Sequence, residues 1–294
     1  MSRRTRWIAL AGLLVGVALG ALLTVRFLLP SDDVPRDGGL GPPRVEGTVL
    51  WAVGDGPDGG DDARAVADLI KRGDPDRLLY LGDVYSEGTE EDYEEDYEPL
   101  YGRLDPITLP TPGNHEWDNR DEGYDAYWEE NGRNFDDHWY STSIQGWQLI
   151  SLNSEEDLDP ESEQLQWLGG QLGRPGNCRL AFWHAPRYSA STAHGDDEDI
   201  EPLWDALEGK AALVVNAHDH NMQRLRERDG ITTLISGAGG HSHYEVDRDY
   251  DGLAFGNGTD YGALRIELRP GRADFAFFTV GGRMVDSGTV PCHS

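Results

Sequence analysis

Positive charge and cysteine are what this chain has least of. Lys71 and Lys210 are its only lysines, and 25 basic side chains stand against 54 acidic ones, for a formal net charge of −29 over 294 residues. Arg3, Arg4, Arg6 and Arg26 all precede Pro30 and no acidic residue does, so taking their four charges out of −29 leaves the remainder at −33. A field of that sign repels polyanions, which argues against a nucleic-acid binder or a domain that docks on anionic lipid. An anionic substrate would need the sign reversed locally. The two cysteines, Cys178 and Cys292, are far from the N-terminus, which excludes a lipoprotein anchor there. Internal repeats are also missing. What the chain does have is apolar and aromatic mass, 38% hydrophobic residues with nine tryptophans, so a large core can form and wholesale disorder is excluded.

The N-terminus reads as a membrane signal. Met1 to Arg6 is a basic leader, and Trp7 to Val25 runs apolar without a charge. About 20 apolar residues span a bilayer as a helix, whereas a signal-peptide core is about 7–15. Thr24-Val25-Arg26 is too bulky and charged for a small-x-small cleavage site. Residues 1–30 are therefore expected to be an uncleaved transmembrane signal anchor, with the arginines in the cytoplasm and the rest outside. A cleaved secretory signal is the alternative, and both readings place the domain outside the cytoplasm. Residues 31–46, with Pro35, Pro42 and Pro43, read as a solvated linker to a domain over 47–294. In an oxidising compartment the isolated pair Cys178 and Cys292 favours a disulfide.

Hydrophobic periodicity gives an α/β pattern. Strands are expected at Thr48 to Val53, Arg77 to Leu81, Ile107 to Leu109, Arg179 to Trp183 and Leu213 to Asn216. Helical spacing runs from Asp62 to Arg72 and from Glu163 to Leu172. Thr89 is placed to cap an acidic helix through about Tyr101, with Tyr93 and Tyr97 packing inward as one stripe. His138 to Ile144 and Trp147 to Asn153 flank Gln145-Gly146 as a hairpin, and the chain from Ile231 onward is mostly β. Strand and helix alternation followed by β-rich segments argues one α/β domain.

Polar residues recur at one kind of place. Asp55, Asp83, Asn114, His184, His218 and His220 each follow an apolar strand, and ligands in open α/β sheets bind beyond the carboxyl ends of strands. A single Gly-Asp after a strand is ordinarily a turn, and a single histidine an ordinary packed residue. Six metal-competent groups at successive strand ends point to a shared metal site. Two metal ions about 3.5–4 Å apart need a bridging carboxylate to screen their repulsion, with imidazoles and an amide oxygen completing coordination and open positions left for water and substrate. Such ions also supply the positive potential that the chain lacks.

Gly54-Asp55, Gly82-Asp83, Gly113-Asn114-His115-Glu116, Trp183-His184 and His218-Asp219-His220 resemble, in order and spacing over roughly Thr48 to Leu268, the motifs of calcineurin-like metallophosphoesterases. Trp183 to Ser189 and Asn216 to Asn221 look closest to the bacterial purple-acid-phosphatase-like branch. The resemblance implies a four-layer α/β/β/α sandwich binding two divalent or trivalent ions, Fe, Mn or Zn. It implies hydrolysis of small-molecule phosphate monoesters by a metal-bound water or hydroxide. Asp83 would bridge both ions, Asp55 and His220 would hold the first, and Asn114, His184 and His218 the second. His115 would contact the phosphate and assist the leaving group. Glu116 and Asp219 would orient imidazoles. Arg187 and His194 follow His184 where that branch has residues near substrate, and His241 and His243 are candidates for the rim. Asp247-x-Asp249-x-Asp251-Gly252 imitates the start of a calcium loop, but Gly258 stands where the closing glutamate belongs.

Three departures qualify the match. The histidine usual two residues after the first aspartate is missing, since Gly56-Pro57 follow Asp55. Purple acid phosphatases place a tyrosine ligand three residues after the bridging aspartate, whereas Tyr85 comes two after Asp83 and is expected to reach the first ion or pack beside it. Ala217 replaces a usual glycine, which is tolerable unless φ there is positive. A phosphodiesterase, or an extracellular binding module with a degraded site, remain the alternatives.

Overall fold

A computed structural model describes residues 47–135, 137–174 and 178–292. The expected anchor and linker lie outside the described residues. Among those described, no helix is long and apolar enough to cross a membrane.

The strands are β1 (Thr48–Val53), β2 (Arg77–Tyr80), β3 (Thr108–Pro110), β4 (Tyr140–Ile144), β5 (Trp147–Ser151), β6 (Cys178–Phe182), β7 (Leu213–Asn216), β8 (Met222–Leu225), β9 (Thr232–Ser236), β10 (Leu253–Asn257), β11 (Gly262–Arg269), β12 (Arg272–Thr279) and β13 (Met284–Pro291). They form two sheets, ordered β13-β12-β11-β1-β2-β3 and β10-β8-β9-β7-β6-β5-β4. β1, β2 and β3 pair in parallel in the first, and β5, β6, β7 and β9 in the second. These parallel strands are almost wholly buried, as expected of sheets covered on both faces.

Three cores account for that burial. Leu50, Leu79, Leu180, Phe182, Val215 and Ile266 meet where the sheets face each other. Val66, Leu69 and Ile70 of helix Asp61–Arg72, with Tyr93, Tyr97 and Tyr101, cover the outer face of the first sheet. Leu168, Leu172, Leu203 and Leu207, from helices Glu163–Leu172 and Glu201–Leu207, cover the second. Thr89 caps as expected: its Oγ1 accepts from Asp92 N at 3.3 Å, and the Asp92 carboxylate accepts from Thr89 N at 3.0 Å. The next turn, Tyr93–Tyr97, is π-helical and buries both tyrosines. Helices Tyr124–Glu130 and Glu201–Leu207, and strand β8, were not anticipated; each is short and gives little periodicity to read.

Cys178 and Cys292 form the expected disulfide, with Cα atoms 5.2 Å apart, joining the start of β6 to the residue after β13. It closes a span of 114 residues, for which the chain-entropy model gives roughly 4–5 kcal/mol of stabilisation.

The first hairpin strand begins at Tyr140 rather than His138, because His138 has a φ of 56° and cannot extend. Its ring is buried between two carboxylates, with Nε2 2.9 Å from Asp125 and Nδ1 3.4 Å from Glu156. Burial opposes its charge, but these carboxylates outweigh burial and raise its pKa. The stabilisation is therefore complete below the unfolded value of about 6.5 and fades as pH rises through the raised folded value. His138→Asn, which tolerates the positive φ, should lower the urea midpoint more at pH 5.5 than at pH 9. Equal differences at both pH values would contradict this assignment.

Candidate metal centre

The carboxyl ends of the parallel strands from both sheets open on one rim. Asp55 follows β1, Asp83 follows β2, Asn114 and His115 follow β3, His184 follows β6, and His218 and His220 follow β7. Three of these residues hold left-handed backbone: Asp55 at φ 58°, Asp83 at 64° and His218 at 66°. Such conformations cost about 1–3 kcal/mol each and persist where surrounding structure enforces them. Ala217 is not among the positive-φ residues, so its methyl is accommodated.

Glu116 provides that enforcement at Asp83. It is fully buried, and its Oε2 accepts from the backbone N–H of Asp83 and of Gly113, each at 3.0 Å. Its Oε1 accepts from Val84 N, also at 3.0 Å. One carboxylate thus binds the loop after β2 to the loop after β3. A Cβ on Gly113 would fall 2.2 Å from Asp83 Oδ1, so the approach requires glycine. Burial and then the charge of Asp83 push the Glu116 pKa up, against the backbone N–H groups that favour its ionised form.

Three of the imidazoles share one device. His184 Nδ1 donates to Leu81 O at 2.7 Å, His220 Nδ1 to Ser242 O at 2.9 Å, and His115 Nδ1 to Ser86 O at 2.5 Å. Each bond fixes the tautomer and leaves Nε2 as a lone pair when the ring is neutral. Backbone carbonyls therefore orient these rings, which corrects the expectation for Glu116 and Asp219. Glu116 holds backbone amides, and Asp219 Oδ2 accepts from Ser189 Oγ.

The result is a surplus of lone pairs at two adjoining points. His184 Nε2 lies 3.1 Å from Asn114 Oδ1, 3.1 Å from His218 Nδ1 and 3.3 Å from Asp83 Oδ2. Tyr85 Oη lies 2.9 Å from His220 Nε2, 3.0 Å from Asp83 Oδ2 and 3.4 Å from Asp55 Oδ1, with one proton to satisfy three acceptors. Asp83 Oδ2 belongs to both groups. Asp55 Oδ2 is buried without any hydrogen-bond partner. Such clusters are stable only with positive charge between their members. A proton on His184 supplies it in part: burial opposes that proton, and the adjoining Asp83 raises the His184 pKa well above its usual value. Burial, then the charges of Asp55 and Asp83, raises the Tyr85 phenol and keeps it neutral. Burial depresses His218 to about 3 and His220 to about 4, so both rings are neutral near neutral pH. The donor set of carboxylates, imidazoles, phenol and amide oxygen fits hard or borderline metal ions. Ligand atoms of Asp83, His184 and His218 all lie within 4.8 Å of one another.

The remaining candidates divide. His194 is exposed, with its ring 4.1 Å from that of His218. Arg187 is turned elsewhere, its guanidinium ion-paired with Glu201 and 4.3 Å over the ring of Tyr188. His241 stacks on Tyr85, whereas His243 stacks on Tyr261. The sequence reading missed Tyr244, whose ring lies parallel to His220 at 4.0 Å. Its one signal was its place in an aromatic run just after a glycine-rich segment.

Residues 49–222 match the calcineurin-like phosphoesterase family, and the chain belongs to it, a family of hydrolases acting on phosphate esters. The chain is 27% identical over 192 residues to the Arabidopsis thaliana protein named Probable purple acid phosphatase 20, an alignment covering 55% of this chain and 43% of the plant protein. It is 28% identical over 185 residues to a Synechococcus protein named a probable cyclic nucleotide phosphodiesterase, covering 59% of this chain and 68% of that one. The chain thus matches less than half the length of the plant relative. In fold it is similar to purple acid phosphatase PPD1 from yellow lupin seeds, with a TM-score of 0.67 at 16% identity, covering 85% of this chain and 55% of that one.

Proposed function

We propose that this chain hydrolyses small phosphate monoesters outside the cytoplasm with two metal ions. The observation that carries the reading is Asp83 Oδ2, which is shared by two adjoining groups of metal-competent atoms. Asp55, Tyr85 and His220 would hold one ion with Asp83, and Asn114, His184 and His218 the other. When bound, divalent or trivalent ions neutralise phosphoryl oxygens and acidify a water for attack on phosphorus.

The chain's own groups do the rest. Asp83 and the buried ligands set the spacing at which a phosphoryl group is received. His115, with Nδ1 held by Ser86, keeps Nε2 available 3.9 Å from Asp83 Oδ2, and its side chain is 36% exposed. That position suits a group that protonates the departing alkoxide or hydrogen-bonds to it. His194 is exposed beside His218 and suits a contact to the phosphate. The monoester assignment is supported by motifs resembling purple acid phosphatases. The location is supported by the apolar N-terminal sequence and by the disulfide, which favours an oxidising compartment.

The test is turnover of a chromogenic phosphate monoester and its diester analogue by the full-length chain, with Mn, Fe and Zn supplied in turn. Monoester hydrolysis that a chelator abolishes is expected. Preference for the diester would move the assignment to a phosphodiesterase, the activity in the name of the Synechococcus relative.

A further inference from the structure

Resting on that metal-centre reading, we infer that residues 236–245, which begin at the last residue of β9, position the ligands of one ion only. In this inference His241 and Tyr244 take the place of the imidazole missing after Asp55 by gripping Tyr85 and His220, not by coordinating.

The segment touches every ligand assigned to that ion besides the bridging Asp83. Its Ser236 O accepts from Gly54 N at 3.0 Å, and His241 N donates to Asp55 O at 3.1 Å, so it is bonded along the loop that carries Asp55. Ser242 O fixes the tautomer of His220, and Tyr244 N donates to His220 O at 3.1 Å. The Tyr244 ring covers His220 at 4.0 Å with an interplanar angle of 12°, and the His241 ring covers Tyr85 at 4.0 Å and 17°. His241 is itself held by Asp58 Oδ2, 3.1 Å from its Nδ1. Such closeness depends on the Gly237-Ala238-Gly239-Gly240 run. A Cβ on Gly237 would lie 2.5 Å from Asp55 Oδ2, and one on Gly239 would lie 2.1 Å from Gly54 O.

These contacts explain how Tyr85 is held so close to Asp55, Asp83 and His220. A phenol two residues after Asp83 rather than three has a different approach to the site, and a ring packed flat against one face restricts its rotation. Groups that orient ligands typically change metal affinity by about 10–100-fold when removed. The Nδ1 of His241 is engaged by Asp58 and its ring lies flat on Tyr85, which favours stacking over coordination. On the side of the other ion, His218 is covered by His194, which comes from a different loop. The Tyr244 ring also meets His194 edge-on at 5.4 Å, so the separation of the two sides is cleanest at His241.

The experiment is calorimetric titration of the metal-free, full-length chain with manganese alone. Tyr85→Phe identifies the binding step of the first ion and His184→Ala that of the second. His241→Ala and Tyr244→Ala should each weaken the Tyr85-dependent step by about 10–100-fold and leave the other within about threefold. His241→Phe and Tyr244→Phe keep a ring in place and should hold that step within about threefold of wild type. Equal weakening of both steps, or His241→Phe failing as badly as His241→Ala, would overturn the inference. Wild type that binds two ions but hydrolyses no ester would sink the proposed function and leave this inference standing. Wild type that binds fewer than two would sink both.

Discussion

Asp83→Asn should lower phosphoester hydrolysis by about 10³-fold or more, the scale of losing a buried electrostatic contact at the reacting centre, while the protein stays folded. Folding survives for two reasons. Asparagine tolerates the φ of 64° as readily as aspartate does. Its amide oxygen also still accepts from His115 N, which Asp83 Oδ1 now receives at 3.1 Å. What is lost is the negative oxygen shared by Tyr85 and His184. Burial opposes the charge on Asp83, yet His184 and His115 more than offset it and hold the carboxyl below its usual range. The charge is thus present at every working pH, and a neutral amide removes it without changing shape. Circular dichroism matching wild type, together with lost turnover, is the expected pair of results. Unchanged turnover would remove Asp83 from the centre.

Glu116→Gln should cost about 10–100-fold in metal affinity, with a parallel loss of activity, although Glu116 is assigned to neither ion. Its two oxygens receive three backbone N–H groups, from Asp83, Val84 and Gly113. A glutamine must turn an NH₂ toward at least one of them, leaving a buried donor unpaired at a cost of about 1–3 kcal/mol. The loop that relaxes is the one that sets Asp83 in left-handed backbone. Metal titration checks this directly. A variant that binds metal as tightly as wild type would show that the loops hold their geometry without the carboxylate.

Much of this candidate centre is legible in the sequence because its metal-competent residues sit where apolar strands stop. Strand ends are read from hydrophobicity, and the parallel strands of both sheets place Asp55, Asp83, Asn114, His184 and His218 on one rim without any knowledge of loops. Local capping chemistry at Thr89 is also readable, because it spans only the four residues Thr89 to Asp92. The roles of Glu116 and Asp219 were not readable. A buried carboxylate beside a histidine in sequence suggests an imidazole partner, whereas Glu116 turns to amides brought near only by the fold. Tyr85 was ambiguous because register after a strand depends on loop geometry, here a backbone turn at Asp83. The ion pair of Arg187 was hidden for a related reason, since its partner Glu201 lies on a helix too short to foresee. His241 and Tyr244 act across a loop that approaches Asp55 only because Gly237 and Gly239 carry no side chain, a contact between residues some 180 positions apart in the chain.

The most direct test is metal content measured alongside activity. The purified full-length chain, loaded and then freed of excess, should retain two transition-metal ions per molecule, lose hydrolysis when a chelator removes them, and recover it when they return. A folded chain that takes up no ion, or one that hydrolyses phosphate esters equally well in the presence of chelator, would contradict the account.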